Sequence, residues 1–434
     1  MNPVFAGVIG IALLLLFFVF RMPIAYAMAF VGFIGFAYLT NPTAALSLVA
    51  QDIYQQFSSY PLSVIPMFIL MGTFAFASGI SRRLYGTAYT WVGQFRGGLT
   101  VATVLACGGF SAICGSSTAT AATMGKIALP EMKKYGYDDT LATGSIAAAG
   151  TLGILIPPSN ALIVYGILTE QSIGKLFIAG VLPGILLTFL FVLTVTFICL
   201  RNPALGPPGR PTTWSDKLRS TTGINDTIIL FVLAIGGLFL GWFSPTQAGA
   251  IGAGGALIIG LVRRQLSWKK FIQALKDGLL TACMVIFIIT GGVIFGHFMA
   301  ISRIPFMLAE KLVALPIPPI AIMIVILVLY FVGGFFMDSL ALMVVTIPIF
   351  FPVVQELGFD PIWFGIMLVV LGEMGVITPP VGVNVFVIKG ISPDVPLETI
   401  FRGILPFLVA LIICSCLLIV FPKIATFLPS FTSY

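Results

Sequence analysis

Of the 434 residues, 59% are hydrophobic and 9% charged, and the mean hydropathy is +1.11; soluble domains hold about half apolar and a quarter charged residues, so a soluble globular fold is excluded. The apolar residues fill at most about a dozen spans of about 20 residues, and their unbroken runs exclude transmembrane β-strands, which alternate apolar and polar. The net charge of +7, from 22 Lys+Arg and 15 Asp+Glu, reports cytoplasmic loops in such a protein and leaves no nucleic-acid footprint.

The first apolar run, 4–20, lacks a basic leader and ends at Arg21. Ala25-Tyr26-Ala27 faintly resembles a cleavage site, but the apolar run resumes over 22–39, so both runs read as retained spans of an N-terminal scaffold at 1–60. A first repeat follows at 61–200: a span at 61–80, an amphipathic arm helix at 81–96, an apolar hairpin at 98–130, a broken helix at 140–169 and a span at 175–200. The Pro- and Gly-rich stretch 201–225 reads as a cytoplasmic loop, and 226–278 as scaffold helices, with apolar runs at 226–243 and 245–262. A second repeat occupies 279–421, with a span at 279–300, an arm helix at 302–315, a hairpin at 318–354, a broken helix at 361–389 and a span at 398–421; 422–434 is a C-terminal tail.

Basic clusters set the orientation. Arg21, Arg82/Arg83/Arg96, Lys133/Lys134, Arg201/Arg210/Lys217/Arg219 and Arg263/Arg264/Lys269/Lys270/Lys276 are all expected in the cytoplasm, with the N-terminus outside. Residues 98–130 then enter and leave from the cytoplasm, and Cys114-Gly115-Ser116-Ser117-Thr118 at their midpoint reads as a re-entrant tip. By the same count 318–354, interrupted at Gly333-Gly334-Phe335-Phe336-Met337-Asp338-Ser339, enters from outside. The copies hold register: 379 − 157 = 222 for the paired prolines, 338 − 116 = 222 for the tips and 403 − 180 = 223 for Gly-x-Leu-Pro. The predicted fold is thus an all-α polytopic membrane protein, an inverted-topology repeat with two re-entrant hairpins and two broken helices, the architecture of secondary transporters.

Paired prolines inside an apolar helix remove amide donors and break it near Gly153–Asn160 and Gly375–Asn384. The freed carbonyls, facing hydroxyls on the hairpin tips, make hard-oxygen cages suited to Na⁺. One cage uses Ser116, Ser117 and Thr118 with the 150–153 backbone, and the other Asp338 and Ser339 with Gly375 and Thr378. The half-helix N-termini beyond the breaks favour a carboxylate in a shared cavity. Candidate cargo contacts are Thr118, Pro158, Ser159 and Asn160 in the first copy and Ser339, Pro380 and Asn384 in the second, with Arg303 either pairing with Asp338, drawing anions inward or anchoring the interface. Asp338 reads as an ion or gating residue, the alternative being a snorkelled carboxylate. Glu373 either serves the second break or caps and pairs locally. His297 stands alone near a helix end and reads as packing or interface, with no metal-ligand spacing around it. The six cysteines, all in apolar stretches, read as packing residues. Walker, metalloprotease and nucleophile-elbow motifs are missing, so the chain reads as a transporter and not an enzyme.

Gly115-Ser116-Ser117-Thr118-Ala119-Thr120, Ala149-Gly150-Thr151-Leu152-Gly153-Ile154-Leu155-Ile156-Pro157-Pro158-Ser159 and Gly372-Glu373-Met374-Gly375-Val376-Ile377-Thr378-Pro379-Pro380-Val381-Gly382-Val383-Asn384 together resemble the large membrane subunit of the tripartite ATP-independent periplasmic (TRAP) transporters. The resemblance runs over nearly the whole chain. It implies an elevator mechanism, with hairpins and broken helices forming a transport domain that moves against a scaffold, and Na⁺ as coupling ion. It also implies a separate four-helix membrane subunit and a periplasmic substrate-binding protein that delivers an organic acid, such as a sialic acid or a C4-dicarboxylate, to a bacterial inner membrane. Carried onto matching positions, its sodium sites fall at Ser116, Ser117, Gly150 and Gly153 and at Gly334, Asp338, Thr378 and Gly382. The rival readings are a stand-alone sodium/carboxylate symporter, an anion channel and an intramembrane hydrolase built on Ser116 or Ser117.

Overall fold

The computed structural model describes residues 3–20, 22–314 and 316–431, and among them every regular element is helical. Arg21, one of the orienting charges, lies outside the described residues, as do Leu315 of the second arm and residues 432–434 of the tail.

The helices run α1 Pro3–Val19, α2 Ile24–Leu39, α3 Pro42–Ser58, α4 Val64–Ala77, α5 Ile80–Val92, α6 Gly98–Cys114, α7 Ser117–Lys134, α8 Asp139–Ala149, α9 Leu152–Leu155, α10 Asn160–Leu168 and α11 Ile173–Arg201. After the loop helix α12 Trp214–Ser220 come α13 Asn225–Phe231, a π-helical turn Val232–Gly236, α14 Gly237–Phe239, α15 Pro245–Val262 and α16 Trp268–Ser302. The chain continues with α17 Ile304–Val313, α18 Pro319–Gly334, α19 Ser339–Glu356, α20 Pro361–Ile377 and α21 Val383–Ile391, followed by α22 Leu397–Val420 and α23 Lys423–Thr426. Corresponding helices start at a nearly fixed offset: 339 − 117 = 222 and 361 − 139 = 222, with 383 − 160 = 223 after the breaks. The same local chemistry starts them. Asp138 caps α8 by accepting from Thr140 N (2.9 Å), and Asp360 caps α20 by accepting from Ile362 N (2.7 Å).

Helices α2, α3 and α4 pack on α16, and α15 packs on α4; α20 is the centre of a second group with α18, α19, α22, α11 and α10. From Trp363 to Ile377 every residue of α20 is buried, as expected of a helix apolar on all sides.

Side-chain contacts gather helix ends onto two faces. On one, Arg83 Nη2 and Arg263 Nη2 approach Asp226 at 2.8 and 3.0 Å, and Lys133 Nζ reaches Asp394 at 2.5 Å. That contact, with Ser392, holds the Asp394 carboxyl below its ordinary range. Residues 201–213 dock on the same face: Gly97 N donates to Gly206 O and Gly209 N to Gly93 O, both at 2.8 Å. On the other face Tyr165 Oη donates to Pro361 O (2.6 Å) and Trp363 Nε1 to Leu418 O (2.8 Å).

Four expectations are corrected. Residues 42–58, left unassigned within the N-terminal scaffold, form α3: Asn41 accepts from Ala44 N at 2.8 Å and Pro42 occupies the first turn. The junction expected at 278/279 falls inside the 35-residue α16, because Ser267 caps a helix whose first turns carry Lys269, Lys270 and Lys276. The first hairpin continues past residue 130, with Pro130 inside α7. The stretch 201–225 is not a bare loop: Thr213 and Asp216 form a capping box on α12, which packs on α5.

Candidate functional site

Each hairpin tip rests on a glycine pair one helical turn apart. Around the first break, a Cβ at Gly153 would stand 2.5 Å from Ser116 O and 2.6 Å from Thr120 Oγ1, and one at Gly150 would stand 3.1 Å from Ser117 O. Only glycine allows the backbone of the tip this close. Around the second break, a Cβ at Gly372 would stand 2.7 Å from Ser339 Oγ, and one at Gly375 would collide with the Gly334 backbone. Each tip therefore packs against the helix it faces through backbone and small polar atoms.

The tips are ordered by their own caps. Ser116 caps α7, accepting from Ala119 N (3.4 Å) and lying 3.2 Å from Thr118 Oγ1; Asp338 caps α19, accepting from Leu340 N (3.1 Å). Ser159 caps α10, accepting from Leu162 N (3.2 Å), while Asn160 N donates to Gly115 O (3.4 Å). Thr378 returns its hydroxyl to Met374 O (2.5 Å), and Gly382 takes φ +61° ahead of α21. The Pro157-Pro158 and Pro379-Pro380 peptide bonds are both cis.

The two halves meet at Glu373. Ser117 Oγ of the first tip and Ser339 Oγ of the second both donate to Glu373 Oε1, at 3.3 and 3.1 Å. The residue is 1% exposed, and its Oε2 is buried with no hydrogen-bond partner. Asn384 adds a second link, donating from Nδ2 to Ala147 O at 3.2 Å while its own Oδ1 stays unpartnered. Thr120 Oγ1 and Asn160 Oδ1 are also buried without partners. Buried polar oxygens are ordinarily satisfied, so this cluster of acceptors facing two tips and two breaks has the chemistry to hold small cations.

A cavity leads to the first tip from the face that carries Asp226 and Lys133. Its outer part, about 690 Å³, is lined by Arg82, Arg83, Lys126, Lys270 and Asp277 among others. Its inner part, about 240 Å³, reaches Ser116 and Asn160 between α4, α16 and α7. Thr73, Phe76, Thr123 and Lys126 line both parts, which are therefore continuous.

Of the expected residues, Ser116, Ser117, Thr118, Gly150, Gly153, Pro158, Ser159 and Asn160 gather at the first tip and break, and Gly334, Ser339 and Gly375 at the second. Pro380 is exposed at the second break. Arg303 does not join Asp338: it is exposed in a left-handed turn between α16 and α17 and makes no ion pair among the described residues. His297 is not alone, since its Nε2 lies 3.3 Å from Oδ1 of the buried Asp52 on α3; that partner was hidden because α3 itself went unread. Thr73, Thr123, Lys126 and Thr281 line the cavity but carry no motif. The helix period, placing Ser116, Thr123 and Lys126 along one side of α7, signals the two on that helix, and nothing local signals Thr73 on α4 or Thr281 on α16.

A family model described as the DctM component of the tripartite ATP-independent periplasmic transporter matches residues 11–424. The chain is 38% identical to the C4-dicarboxylate TRAP transporter large permease protein of Pseudomonas aeruginosa, covering 90% of this chain and 91% of that one. It is 32% identical to the sialic acid TRAP transporter large permease protein of Vibrio cholerae, over 94% and 95%. Among solved structures, the YdaH transporter of Alcanivorax borkumensis has the same overall fold, with a TM-score of 0.66 at 18% identity over 98% of both chains.

Proposed function

We infer that this chain, which belongs to the DctM component family of the TRAP transporters, couples uptake of an organic acid to the inward movement of Na⁺. It is a multi-pass inner-membrane permease subunit and not an enzyme. The observation that carries the coupling is the convergence of both hairpin tips on one buried carboxylate, Glu373, between two glycine-lined breaks. An ionisable group at such depth is expensive and functional by default, and the unpartnered oxygens around it are ligands of the kind Na⁺ takes. Sodium would be held by Ser116, Ser117, Gly150 and Gly153 in one half and by Gly334, Asp338, Thr378 and Gly382 in the other.

The cargo sits in the inner cavity against Ser116 and Asn160, with the inner ends of the breaks favouring its carboxylate. The two relatives above carry names of organic-acid transporters, which supports that class of cargo. Hairpins and broken helices move together as an elevator against α2, α4, α15 and α16, and the cavity's opening beside Arg82, Arg83 and Lys270 corresponds to an inward-facing arrangement. The inverted relation of the copies is supported by where the hairpins end: α7 at Lys133, on the face with Asp394, and α19 just before Pro361, on the face with Tyr165. A separate small membrane subunit and a periplasmic binding protein complete the system.

Uptake into proteoliposomes, with the small subunit and a cognate binding protein, tests this reading. Uptake that needs both an inward Na⁺ gradient and the binding protein is expected. Uptake without the binding protein would move the chain to stand-alone sodium/carboxylate symport, and sodium-independent equilibration would overturn the coupling.

A further inference from the structure

An open groove of about 530 Å³ lies between α11 and α22. On α11 its wall follows one side of the helix through Leu190, Phe197 and Arg201, and on α22 through Pro406, Val409 and Ile413. From Leu190 to Arg201 the helix rises about 16 Å, close to half of a bilayer's hydrocarbon core of about 30 Å. The groove ends at the face where residues 201–213 dock and Lys133 meets Asp394, so it spans the leaflet that the basic clusters assign to the cytoplasm. Along this length the one hydroxyl in the wall, Thr194, donates to Leu190 O at 2.8 Å and is spent within α11, which leaves hydrocarbon for an occupant to touch. The charge sits at the end. Arg201, the one charged residue lining the groove, makes no ion pair among the described residues, and its guanidinium lies 4.9 Å from the centroid of the Phe197 ring, which itself lines the groove. Asn202 beside it makes no side-chain hydrogen bond among the described residues. One turn beyond Pro406 on the same side of α22, Arg402 pairs with Glu398 at 2.6 Å, so the mouth carries two guanidiniums against one carboxylate.

An apolar trough one leaflet long, with an unpaired guanidinium at headgroup level, is complementary to a charged phosphate carried on a hydrocarbon chain. We propose that it binds one anionic phospholipid of the inner leaflet, with the phosphate on Arg201 and Asn202 and an acyl chain between α11 and α22. The planar fork of an arginine matches two phosphate oxygens with parallel hydrogen bonds. The positive balance at the mouth favours a headgroup of net negative charge over a zwitterion. Helices α11 and α22 both pack on α20, so the lipid belongs to the group of helices that holds the breaks and not to its seam with α2, α4, α15 and α16. The assignment does not depend on what the permease carries or on its coupling ion.

The test is native mass spectrometry of the purified, delipidated full-length protein in detergent, titrated with phosphatidylglycerol and with phosphatidylcholine of the same chains. The wild type is expected to hold one phosphatidylglycerol about fivefold more tightly than phosphatidylcholine, the share of one arginine in the attraction to an anionic headgroup. Arg201→Gln should abolish that preference and Arg201→Lys should keep most of it, while Arg219→Gln, at an exposed basic residue outside the groove, should leave it intact. Val409→Trp, which fills the groove between Pro406 and Ile413, should weaken both lipids. Equal binding of the two lipids by the wild type, a preference that survives Arg201→Gln, or unchanged binding in a folded Val409→Trp protein overturns the proposal. A photoreactive phenylalanine analogue in place of Val409 identifies the occupant in intact membranes: a cross-link to phospholipid is expected, and one to a partner polypeptide overturns the assignment to lipid.

Discussion

Replacing Glu373 by Gln keeps the volume and one acceptor oxygen at the point where the hairpin tips meet, and removes the negative charge that the buried carboxylate would carry with sodium beside it. A hydrogen bond to a charged acceptor contributes about 1.5–3 kcal/mol and one to a neutral acceptor about 0.5–1.5. The two bonds from Ser117 and Ser339, at 3.3 and 3.1 Å, therefore weaken by roughly 2–3 kcal/mol together. If the ordered tips are what bind Na⁺, that loss raises the sodium concentration for half-maximal uptake by roughly 30- to 150-fold, at about 1.4 kcal/mol per factor of ten. The assay is the sodium dependence of uptake in proteoliposomes at saturating cargo, with thermal unfolding of the purified variant as a check on folding. Adding Ser339→Ala to Glu373→Gln should cost much less than Ser339→Ala in the wild type, since the partner's charge is already gone. A wild-type sodium response in a folded Glu373→Gln protein, or fully additive losses in the pair, would refute the idea that Glu373 ties the tips together for sodium.

Gly375→Ala drives a methyl group into the Gly334 backbone; uptake should fall at least tenfold while the protein still inserts and folds, and near-normal transport would show that the second tip does not need its close contact. Single cysteines at Phe95 and Lys134 should react with impermeant reagents only from the cytoplasm, and those at Ile317 and Glu356 only from outside; the opposite labelling of either pair would break the inverted relation of the hairpins. Asp226→Ala leaves the partly buried Arg83 without its counter-ion and should destabilise by about 3 kcal/mol, the low end for a broken buried pair because Arg263 remains half exposed to solvent. That loss would appear as a thermal transition several degrees lower, with the sodium response unchanged.

The spans, arm helices and breaks were legible because each writes a local signal: an apolar run, an amphipathic period, a pair of prolines. The backbone at 150–153 and Gly375 were legible by their place at the breaks, whereas the approach of Ser339 to Gly372 was not. What stayed hidden depends on neighbours far away in the chain. Helix α3 mixes Ala, Ser, Gln and Asp too evenly to show an apolar stripe, and with it unread His297 had no visible partner, since Asp52 lies 245 residues away. Lys126 reads as one more basic residue near Lys133 until the fold turns it into a cavity. Residues 201–213 read as a linker because backbone bonds such as Gly97 N to Gly206 O leave no trace in side-chain composition. Of the three readings open for Arg303, pairing with Asp338 is not seen: it stands exposed at a turn with φ +58° and makes no ion pair among the described residues.

The register of the two copies makes Glu373 informative in a further way. At an offset of 222 its counterpart is Thr151, a buried residue between α8 and α9 whose hydroxyl donates to Ala148 O at 2.6 Å and so spends itself on the last turn of α8. The glycines on either side, 150 and 153 against 372 and 375, are matched. One position in the middle of the repeat thus differs between a neutral, self-satisfied side chain and a carboxylate long enough to touch both tips. Two copies with Thr at this position would leave each tip bound only to its own break, and two with Glu would bury like charges close together, which is strongly unfavourable. One Glu at this position, beside Asp338 of the second tip, avoids both outcomes. It joins the two tips through one shared oxygen, and if sodium is held as proposed above it would make the two sites unequal, because the electrostatic attraction it supplies comes from one side of the repeat.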